Sequence, residues 1–121
     1  MIRLVLCGAT GRMGNAIRAL VLQGKGFIIS YEASRSAPLT AFDGNADVVI
    51  DFSAPAALLE VLAFCVRRGL PLVIGTTGYN ENASSEIEDA ARHVAIIKSE
   101  NFSSGAHVLG KLAKQAVQML G

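Results

Sequence analysis

Short, uninterrupted runs of apolar residues alternate along the chain with longer segments in which apolar residues recur every three or four positions. The short runs are typical of strands buried on both faces of a sheet, and the longer segments are typical of amphipathic helices. Because parallel strands require long crossover connections, this alternation predicts an α/β fold. Strands are predicted at residues 2–7, 27–31, 47–52, 72–75 and 94–97.

Helices are predicted between and after these strands, at about residues 11–22, 55–68 and 80–92, and from 103 to the end of the chain. Ser53 is expected to cap the second helix, Arg68 to point to solvent, and Ala91 to be buried on the third helix. Residues 33–46 have no clear period and are predicted to form a loop. Together the elements predict one domain over residues 1–121, a Rossmann-like parallel sheet of about five strands with helices on both faces.

Composition narrows the class of protein. Apolar residues make up 51% of the chain and charged residues 17%, with a mean hydropathy of +0.42, which excludes a disordered chain. The apolar runs are far shorter than the ~20 residues of a membrane-spanning helix. A net charge of +1 without blocks of like charge argues against a nucleic-acid or membrane partner. Cys7 and Cys65 lie in apolar runs, so we expect reduced core thiols in a cytoplasmic protein that binds small molecules and no metal.

Three glycines, Gly8, Gly11 and Gly14, lie in the predicted turn between the first strand and the first helix. A parallel sheet can present free backbone N–H groups to an anion at this place, so the turn is a candidate phosphate site. Glu32 ends the second strand, where a carboxylate can hold ribose hydroxyls. The alternative is a tight turn whose glycines only let helix and strand pack closely. The context of strand, turn, helix and acid favours nucleotide binding.

The residues near this turn leave the choice between NADH and NADPH open. The carboxylate of Glu32 repels a 2′-phosphate and favours NADH, whereas Arg12 and Arg35 lie close enough along the chain to attract one. Both arginines are also consistent with solvated surface charges.

Small polar residues follow the third, fourth and fifth predicted strands, as DFS at 51–53, GTTG at 75–78 and SENFSSG at 99–105. Because the carboxyl ends of parallel strands share one edge of a sheet, these segments are expected to line a ligand crevice. For Asp51 we favour a structural role in helix capping or in hydrogen bonding at the sheet edge.

Four motifs occur in the order and spacing of the dihydrodipicolinate reductases: GATGRMG at 8–14, DVVIDFS at 47–53, VIGTTGY at 73–79 and NFSSG at 101–105. The chain resembles this family over nearly its whole length. The resemblance implies an enzyme of the diaminopimelate route to lysine, in which NADH or NADPH delivers a hydride to 4-hydroxy-tetrahydrodipicolinate after loss of water. It also implies a small dicarboxylate substrate and a homo-oligomeric complete protein.

The resemblance assigns roles to individual residues. One group contacts the pyrophosphate, and it comprises Gly8, Ala9, Thr10, Gly11, Arg12 and Met13. A second group contacts the nicotinamide, and it comprises Gly75, Thr76, Thr77, Ser99, Glu100, Asn101 and Phe102. Thr77 also touches a substrate carboxylate, and Glu32 binds the adenosine ribose.

The chain departs from the family pattern in several respects. Many members carry an arginine directly after the ribose-binding acid, where this chain has Ala33, which argues against a strong preference for NADPH. The segment 33–46 is also shorter than in many members. The family's catalytic stretch, HHRxKxDAPSGT, lies beyond the last predicted helix, and His93 and His107 match no catalytic position. No catalytic residue is therefore assigned, and we expect a cofactor-binding half without its substrate and oligomerisation domain.

Two other functions are compatible with the same turn. One is a non-catalytic module that binds or senses a dinucleotide. The other is half of an acyl-phosphate or semialdehyde dehydrogenase, a class that needs a nucleophilic cysteine. The apolar settings of Cys7 and Cys65 do not favour the second.

Overall fold

The computed structural model of the chain describes residues 1–8, 12–24, 26–75, 81–98 and 106–120. The strands in these ranges are β1 (Ile2–Cys7), β2 (Phe27–Ala33), β3 (Val48–Asp51), β4 (Leu72–Ile74) and β5 (Ile96–Lys98). The helices are α1 (Arg12–Leu22), α2 (Leu58–Arg68), α3 (Glu81–Ala91) and α4 (Ala106–Leu120), and 3₁₀ turns lie at Leu39–Ala41 and Pro55–Ala57. The predicted α/β class is confirmed.

The five strands form one parallel sheet in the order β2-β1-β3-β4-β5. β1 lies inside the sheet, where Leu4 aligns with Ile29 of β2 and with Val48 of β3. The chain leaves β1 toward β2 and leaves β3 toward β4, which are opposite directions across the sheet. In open α/β sheets, such a switch point produces a crevice at the carboxyl ends of the two strands.

Helices cover both faces of the sheet, as predicted. On one face, Ile17 of α1 and Ala116 of α4 join a buried cluster with Leu6. On the other face, α2 and α3 contribute Cys65 and Ile87 to a cluster with Val5, which points away from Leu6 because successive strand residues alternate. Each fully buried aliphatic side chain contributes about 1.5–3 kcal/mol to folding. No helix in the described ranges is both long and apolar enough to cross a membrane.

Most element boundaries lie within two residues of those predicted. β2 continues to Ala33, one residue past the predicted end at Glu32, because Ala33 pairs with Cys7 at the end of β1. The predicted loop after β2 contains the short 3₁₀ turn, whose first residue, Leu39, is buried. This segment is therefore more ordered than its composition indicated.

Three expectations about side chains were wrong. Ser53 does not cap the second helix, since Ala54 occupies the N-cap of the preceding 3₁₀ turn and the Ser53 hydroxyl donates to the nearby Asp51 carboxylate. Arg68 does not point to solvent, because its guanidinium donates to backbone carbonyls of the loop after β2. Ala91 is exposed, since α3 ends there and the chain turns back toward β5.

Candidate functional site

A cleft opens at the carboxyl edge of the sheet, where β1 and β3 end side by side. It is lined by Cys7 and Gly8 at the end of β1, by residues from 33 to 39 at and after the end of β2, and by residues from 52 to 61, which lead from β3 into α2. Its volume of about 1060 Å³ slightly exceeds the roughly 300–1,000 Å³ usual for small-molecule sites. The cleft occupies the edge at which the sequence predicts a ligand crevice.

Gly8 closes the end of β1 against the turn that follows β3. Its φ is +79°, and a Cβ on Gly8 would lie 2.7 Å from both the backbone N and the Cα of Ser53. The amide of Phe52 donates to the carbonyl of Cys7 at 3.0 Å, which joins the two turns. Only glycine fits at this position without moving backbone. Close packing therefore explains why residue 8 is glycine. The missing side chain also leaves the backbone of Gly8 bare along the cleft.

Asp51 holds the turn after β3 from beneath the cleft. It is fully buried, and its Oδ1 accepts hydrogen bonds from the backbone amide of Ser53 at 2.9 Å and from the Ser53 hydroxyl. Its carbonyl accepts from the amide of Gly75 at 2.6 Å, which ties the end of β4 to β3. Burial raises the pKa of Asp51, and the two Ser53 hydrogen bonds oppose that shift. The expected hydrogen-bonding role at the sheet edge is confirmed.

The opposite side of the cleft begins with a tight turn at residues 34–37. The amide of Ser34 donates to the carbonyl of Ala37 at 2.9 Å, and the amide of Ala37 donates back to the carbonyl of Ser34 at 3.2 Å. The hydroxyl oxygens of Ser34 and Ser36 are 3.2 Å apart. Arg35 lies between them, and all three residues line the cleft. The turn thus places one arginine and two serines, whose hydroxyls are hydrogen-bonded to each other, along the cleft.

Side chains from more distant parts of the chain hold this loop in place. The Tyr31 hydroxyl donates to the carbonyl of Pro38 at 2.8 Å. Arg68, at the end of α2, donates to the carbonyl of Phe42 at 2.9 Å and to that of Gly44. Its guanidinium carbon also lies 5.4 Å from the centroid of the Phe42 ring, within cation–π range. The loop side of the cleft therefore depends on Arg68.

Glu32, the predicted ribose-binding acid, lies on β2 beside α1. Its carboxylate accepts a hydrogen bond from Nε of Arg18 at 3.3 Å and a second one from Nη2. Ala33, the next residue, points to the other face and lines the cleft, whereas Glu32 is not among the lining residues. The Glu32 side chain is 37% exposed, so its carboxylate is partly accessible to solvent on the face of the sheet that carries α1.

The other predicted site residues fall into two groups. Arg12 and Met13 form the first turn of α1, and Gly75 directly follows β4. Those outside the described residues are Ala9, Thr10, Gly11, Thr76, Thr77, Ser99, Glu100, Asn101 and Phe102.

Neither cysteine is suited to act as a nucleophile. Cys7 and Cys65 are buried free thiols. Burial raises the pKa of both, and the negative charge of Asp51 adds to the shift. Because the thiolate is the reactive form, the structure does not favour the semialdehyde dehydrogenase alternative. Within the described ranges, no three His, Cys, Asp or Glu residues come together as a metal site.

Sequence reasoning missed several residues that line the cleft. Ser34, Ser36, Pro38 and Leu39 were assigned only to a loop, and Glu60 only to a solvated helix face. Their position directly after a strand, at the edge where a parallel sheet binds ligands, was the available signal. Residues 33–46 have no regular hydrophobic period, so they were assigned to a loop and their position at the ligand edge was overlooked.

The parallel sheet, its two helical layers and the cleft at the switch point define a Rossmann-like α/β domain. Residues 2–102 match the family described as dihydrodipicolinate reductase, N-terminus. The chain belongs to this family, which confirms the resemblance carried by the four motifs.

Curated relatives and a solved structure show the same relationship. The chain is 34% identical over 134 residues to the 4-hydroxy-tetrahydrodipicolinate reductase of Haloarcula marismortui, covering 99% of this chain and 53% of that protein. It is 33% identical over 135 residues to the enzyme of the same name from Methanocorpusculum labreanum, covering 100% and 54%. The dipicolinate-bound dihydrodipicolinate reductase from Paenisporosarcina sp. TG-14 shares the fold, with a TM-score of 0.62 and 20% identity over 84% of this chain and 48% of that one. The chain thus spans about half the length of the curated relatives that it matches.

Proposed function

We propose that residues 1–121 form the dinucleotide-binding domain of a 4-hydroxy-tetrahydrodipicolinate reductase that uses NADH or NADPH. The observation that carries this proposal is the cleft at the switch point of the sheet, bordered by the ends of β1, β2 and β3. Family membership supplies the class of reaction. On this proposal, the domain that binds and protonates the substrate lies outside these residues.

The cleft fits the adenosine and pyrophosphate part of a nicotinamide dinucleotide. Gly8 borders it with bare backbone, and α1 begins at Arg12, so the unpaired N–H groups of the first helical turn follow closely after β1. Leu39 and Val61 add apolar surface for a planar base. The proposed pyrophosphate-binding residues are Gly8, Ala9, Thr10, Gly11, Arg12 and Met13.

Glu32 is the proposed ribose ligand. Arg18 holds the carboxylate in one orientation through two donors. An ionised carboxylate has about four lone-pair sites, so it can accept ribose hydroxyls while it remains paired. Arg18 is therefore proposed to position Glu32 rather than to contact the cofactor.

The nicotinamide is proposed to lie over the ends of β4 and β5. Gly75 supports this placement, because its amide donates to the carbonyl of Asp51 and holds the end of β4 beside the end of β3. The residues proposed to contact the nicotinamide are Gly75, Thr76, Thr77, Ser99, Glu100, Asn101 and Phe102. Thr77 is also proposed to contact a carboxylate of the substrate.

The proposed reaction reduces a small dicarboxylate. When bound, NADH or NADPH supplies the hydride, which is delivered to 4-hydroxy-tetrahydrodipicolinate after it loses water. No catalytic residue is assigned to this chain. The proton donor and the cations that bind the two substrate carboxylates are proposed to come from a second domain, which also forms the homo-oligomer of a cytoplasmic enzyme.

Titration and complementation test this proposal. The 121-residue chain should bind NADH or NADPH in a saturable manner by calorimetry. Addition of a separately produced carboxyl-terminal domain from the Haloarcula marismortui relative should restore oxidation of the cofactor with the dihydrodipicolinate substrate. A folded chain that binds neither cofactor contradicts the proposal, and binding without restored turnover would favour the non-catalytic module.

Glu32→Gln distinguishes a ribose contact from a purely structural ion pair. Loss of charge-assisted hydrogen bonds to ribose should weaken NADH binding by about tenfold or more. Arg18→Gln removes the same ion pair but leaves the carboxylate, so it should weaken binding less. If both variants lose the same stability in urea and keep normal affinity by calorimetry, Glu32 serves the fold alone.

A further inference from the structure

We infer that Asp43 is a site of spontaneous isoaspartate formation and that Arg68 controls the rate of this modification. The inference concerns the loop after β2, and it is independent of the proposed function. The sequence contains one Asp-Gly pair, Asp43-Gly44, and no Asn-Gly pair. Glycine after an aspartate favours the reaction, because it places no side chain next to the amide that must attack the carboxyl group.

Packing explains why residue 44 is glycine. A Cβ on Gly44 would lie 2.9 Å from Cε1 and 3.2 Å from Cζ of the Phe42 ring. That ring is held on two sides, since its centroid lies 4.9 Å from that of the Tyr31 ring and 5.4 Å from the guanidinium carbon of Arg68. The packing of the loop therefore retains the residue that makes the preceding aspartate reactive.

The modification is a rearrangement of the main chain that needs only water. The backbone nitrogen of Gly44 attacks Cγ of Asp43, and the carboxyl hydroxyl leaves as water with the proton of that amide. Water then adds to the backbone carbonyl carbon of Asp43 in the resulting succinimide and breaks its bond to the nitrogen. The main chain now runs through Cγ of residue 43, and the former backbone carbonyl is a free carboxylate. Asp43 is exposed, so water reaches it.

Arg68 restrains the segment in which this reaction occurs. Its guanidinium donates from Nη1 to the carbonyl of Phe42 at 2.9 Å and from Nη2 to the carbonyl of Gly44, so it holds both neighbours of Asp43. Closure of the succinimide ring fixes the ψ torsion of Asp43, which requires the two neighbours to turn relative to each other. Two carbonyls bound to one planar guanidinium resist that rotation.

The product is incompatible with the same contacts. Isoaspartate lengthens the main chain between the carbonyls of Phe42 and Gly44 by one carbon–carbon bond, about 1.5 Å. The two carbonyls then no longer fit one rigid guanidinium. Modification of Asp43 should therefore release the loop from Arg68.

The experiment follows isoaspartate in the 121-residue chain during several weeks in warm neutral buffer. An isoaspartyl methyltransferase with radioactive S-adenosylmethionine labels the product, and electron-transfer fragmentation locates it. Residue 43 should accumulate isoaspartate, with an oxygen taken from solvent when the buffer contains heavy-oxygen water. Arg68→Met should raise the rate about fivefold or more, because two hydrogen bonds no longer hold the segment. Arg67→Met, at the exposed neighbouring arginine, is the matched control and should leave the rate unchanged.

Further variants show that the signal comes from the Asp-Gly pair. Asp43→Glu should remove it, because glutamate closes the corresponding larger ring much more slowly. Asp89 is also exposed but is followed by Ala90, so it is an internal control that should stay unlabelled. Arg68→Lys keeps the charge without the planar fork and should give an intermediate rate, also where Arg68→Met does not fold.

Each outcome decides the inference. Absence of isoaspartate at residue 43 of the native chain, over a period in which the urea-unfolded chain forms it, overturns the modification site. Equal rates in the wild type, Arg68→Met and Arg68→Lys overturn the role of Arg68. The purified isoaspartyl chain should exchange amide hydrogens faster within residues 34–46 than the unmodified chain. Unchanged exchange there would show that the Arg68 contacts survive the modification, contrary to the inference.

Discussion

The two sides of the cleft are built in different ways. Where β1 and β3 end, buried backbone makes the contacts: Gly8 lies against the backbone of Ser53, and Asp51 is buried beneath the turn. On the loop side, at residues 34–44, side chains make the contacts, with Tyr31 and Arg68 donating to loop carbonyls.

This difference determines what each side tolerates. Backbone in direct contact leaves no room for an added methyl group at Gly8, so this position on the β1–β3 side does not tolerate another residue without strain. The loop side relies on a few exposed or partly exposed contacts, each of modest strength. Its residues can therefore change without unfolding the sheet.

Gly8→Ala, on the β1–β3 side, should lower the free energy of unfolding more than any other change considered for the two sides. Alanine would be strained at φ +79° and its Cβ would overlap the backbone of Ser53, so we expect a loss of about 3 kcal/mol or more in the free energy of unfolding. Gly24 has φ +70° but open space around it, so Gly24→Ala should cost only about 1–2 kcal/mol of backbone strain. Urea unfolding of the two variants measures the difference. Equal losses would show that the approach to Ser53 is not tight.

Arg68→Met should have an intermediate effect, limited to the loop side. Loss of the hydrogen bonds to the carbonyls of Phe42 and Gly44 should cost about 1–3 kcal/mol. Hydrogen exchange and proteolysis should increase within residues 34–46 while the sheet stays protected. Arg67→Met is the control, since Arg67 is exposed and lies over the Phe64 ring at 5.9 Å, and it should cost about 0.5 kcal/mol. Protection of the loop equal to that of the wild type would contradict this account.

The pH dependence of the free energy of unfolding should reveal the titration of Asp51, the buried carboxyl on the β1–β3 side. Burial raises the pKa of Asp51 above its ordinary value of 3.8, so the folded state binds this proton more tightly than the unfolded chain. Stability contributed by Asp51 should therefore fall as the pH rises through the raised pKa. In Asp51→Asn this loss between acidic and neutral pH should be absent, as measured by urea unfolding at several pH values.

Asp47 is the natural comparison for this measurement. Its hydrogen bond from Arg3 lowers the Asp47 pKa, although burial opposes the shift. Its contribution should be complete above pH 3.8 and should be lost as the pH falls through the lowered pKa. For each variant, the stability of the wild type minus that of the variant is followed against pH. Opposite slopes of this difference for Asp51→Asn and Asp47→Asn would confirm the assignment, and slopes of the same sign would contradict it.

The smallest expected effect is the reaction of the thiols. Cys7 lines the cleft but is only 3% exposed, and burial raises its pKa and that of Cys65. A thiol reagent at mildly alkaline pH should therefore modify neither residue in the native state and both in urea. Rapid native labelling of Cys7 would show that the β1–β3 side opens.

Much of the architecture could be predicted from local patterns. Continuous apolar runs predicted the strands, because a strand between two helical layers must be apolar on both faces. The position of Gly8 directly after β1 predicted a turn that needs glycine, and its positive φ agrees. The family resemblance added roles for residues such as Glu32, which remain predictions.

The loop side could not be predicted in the same way. Arg68 was expected to point to solvent, because nothing near it in sequence indicates that it contacts carbonyls 24 and 26 residues earlier. Ser53 was expected to cap a helix, but the buried Asp51 is its partner.

By itself, then, the sequence determined the alternation of strands and helices, the glycine turn at the edge of the sheet and the family to which the chain belongs. The tertiary structure decided which residues form the cleft, that Arg18 pairs with Glu32, and that Arg68 holds the loop after β2. Periodicity and glycine geometry act over a few neighbouring residues, whereas a cleft forms only when the ends of separate strands and the side chains that hold the loops meet in space.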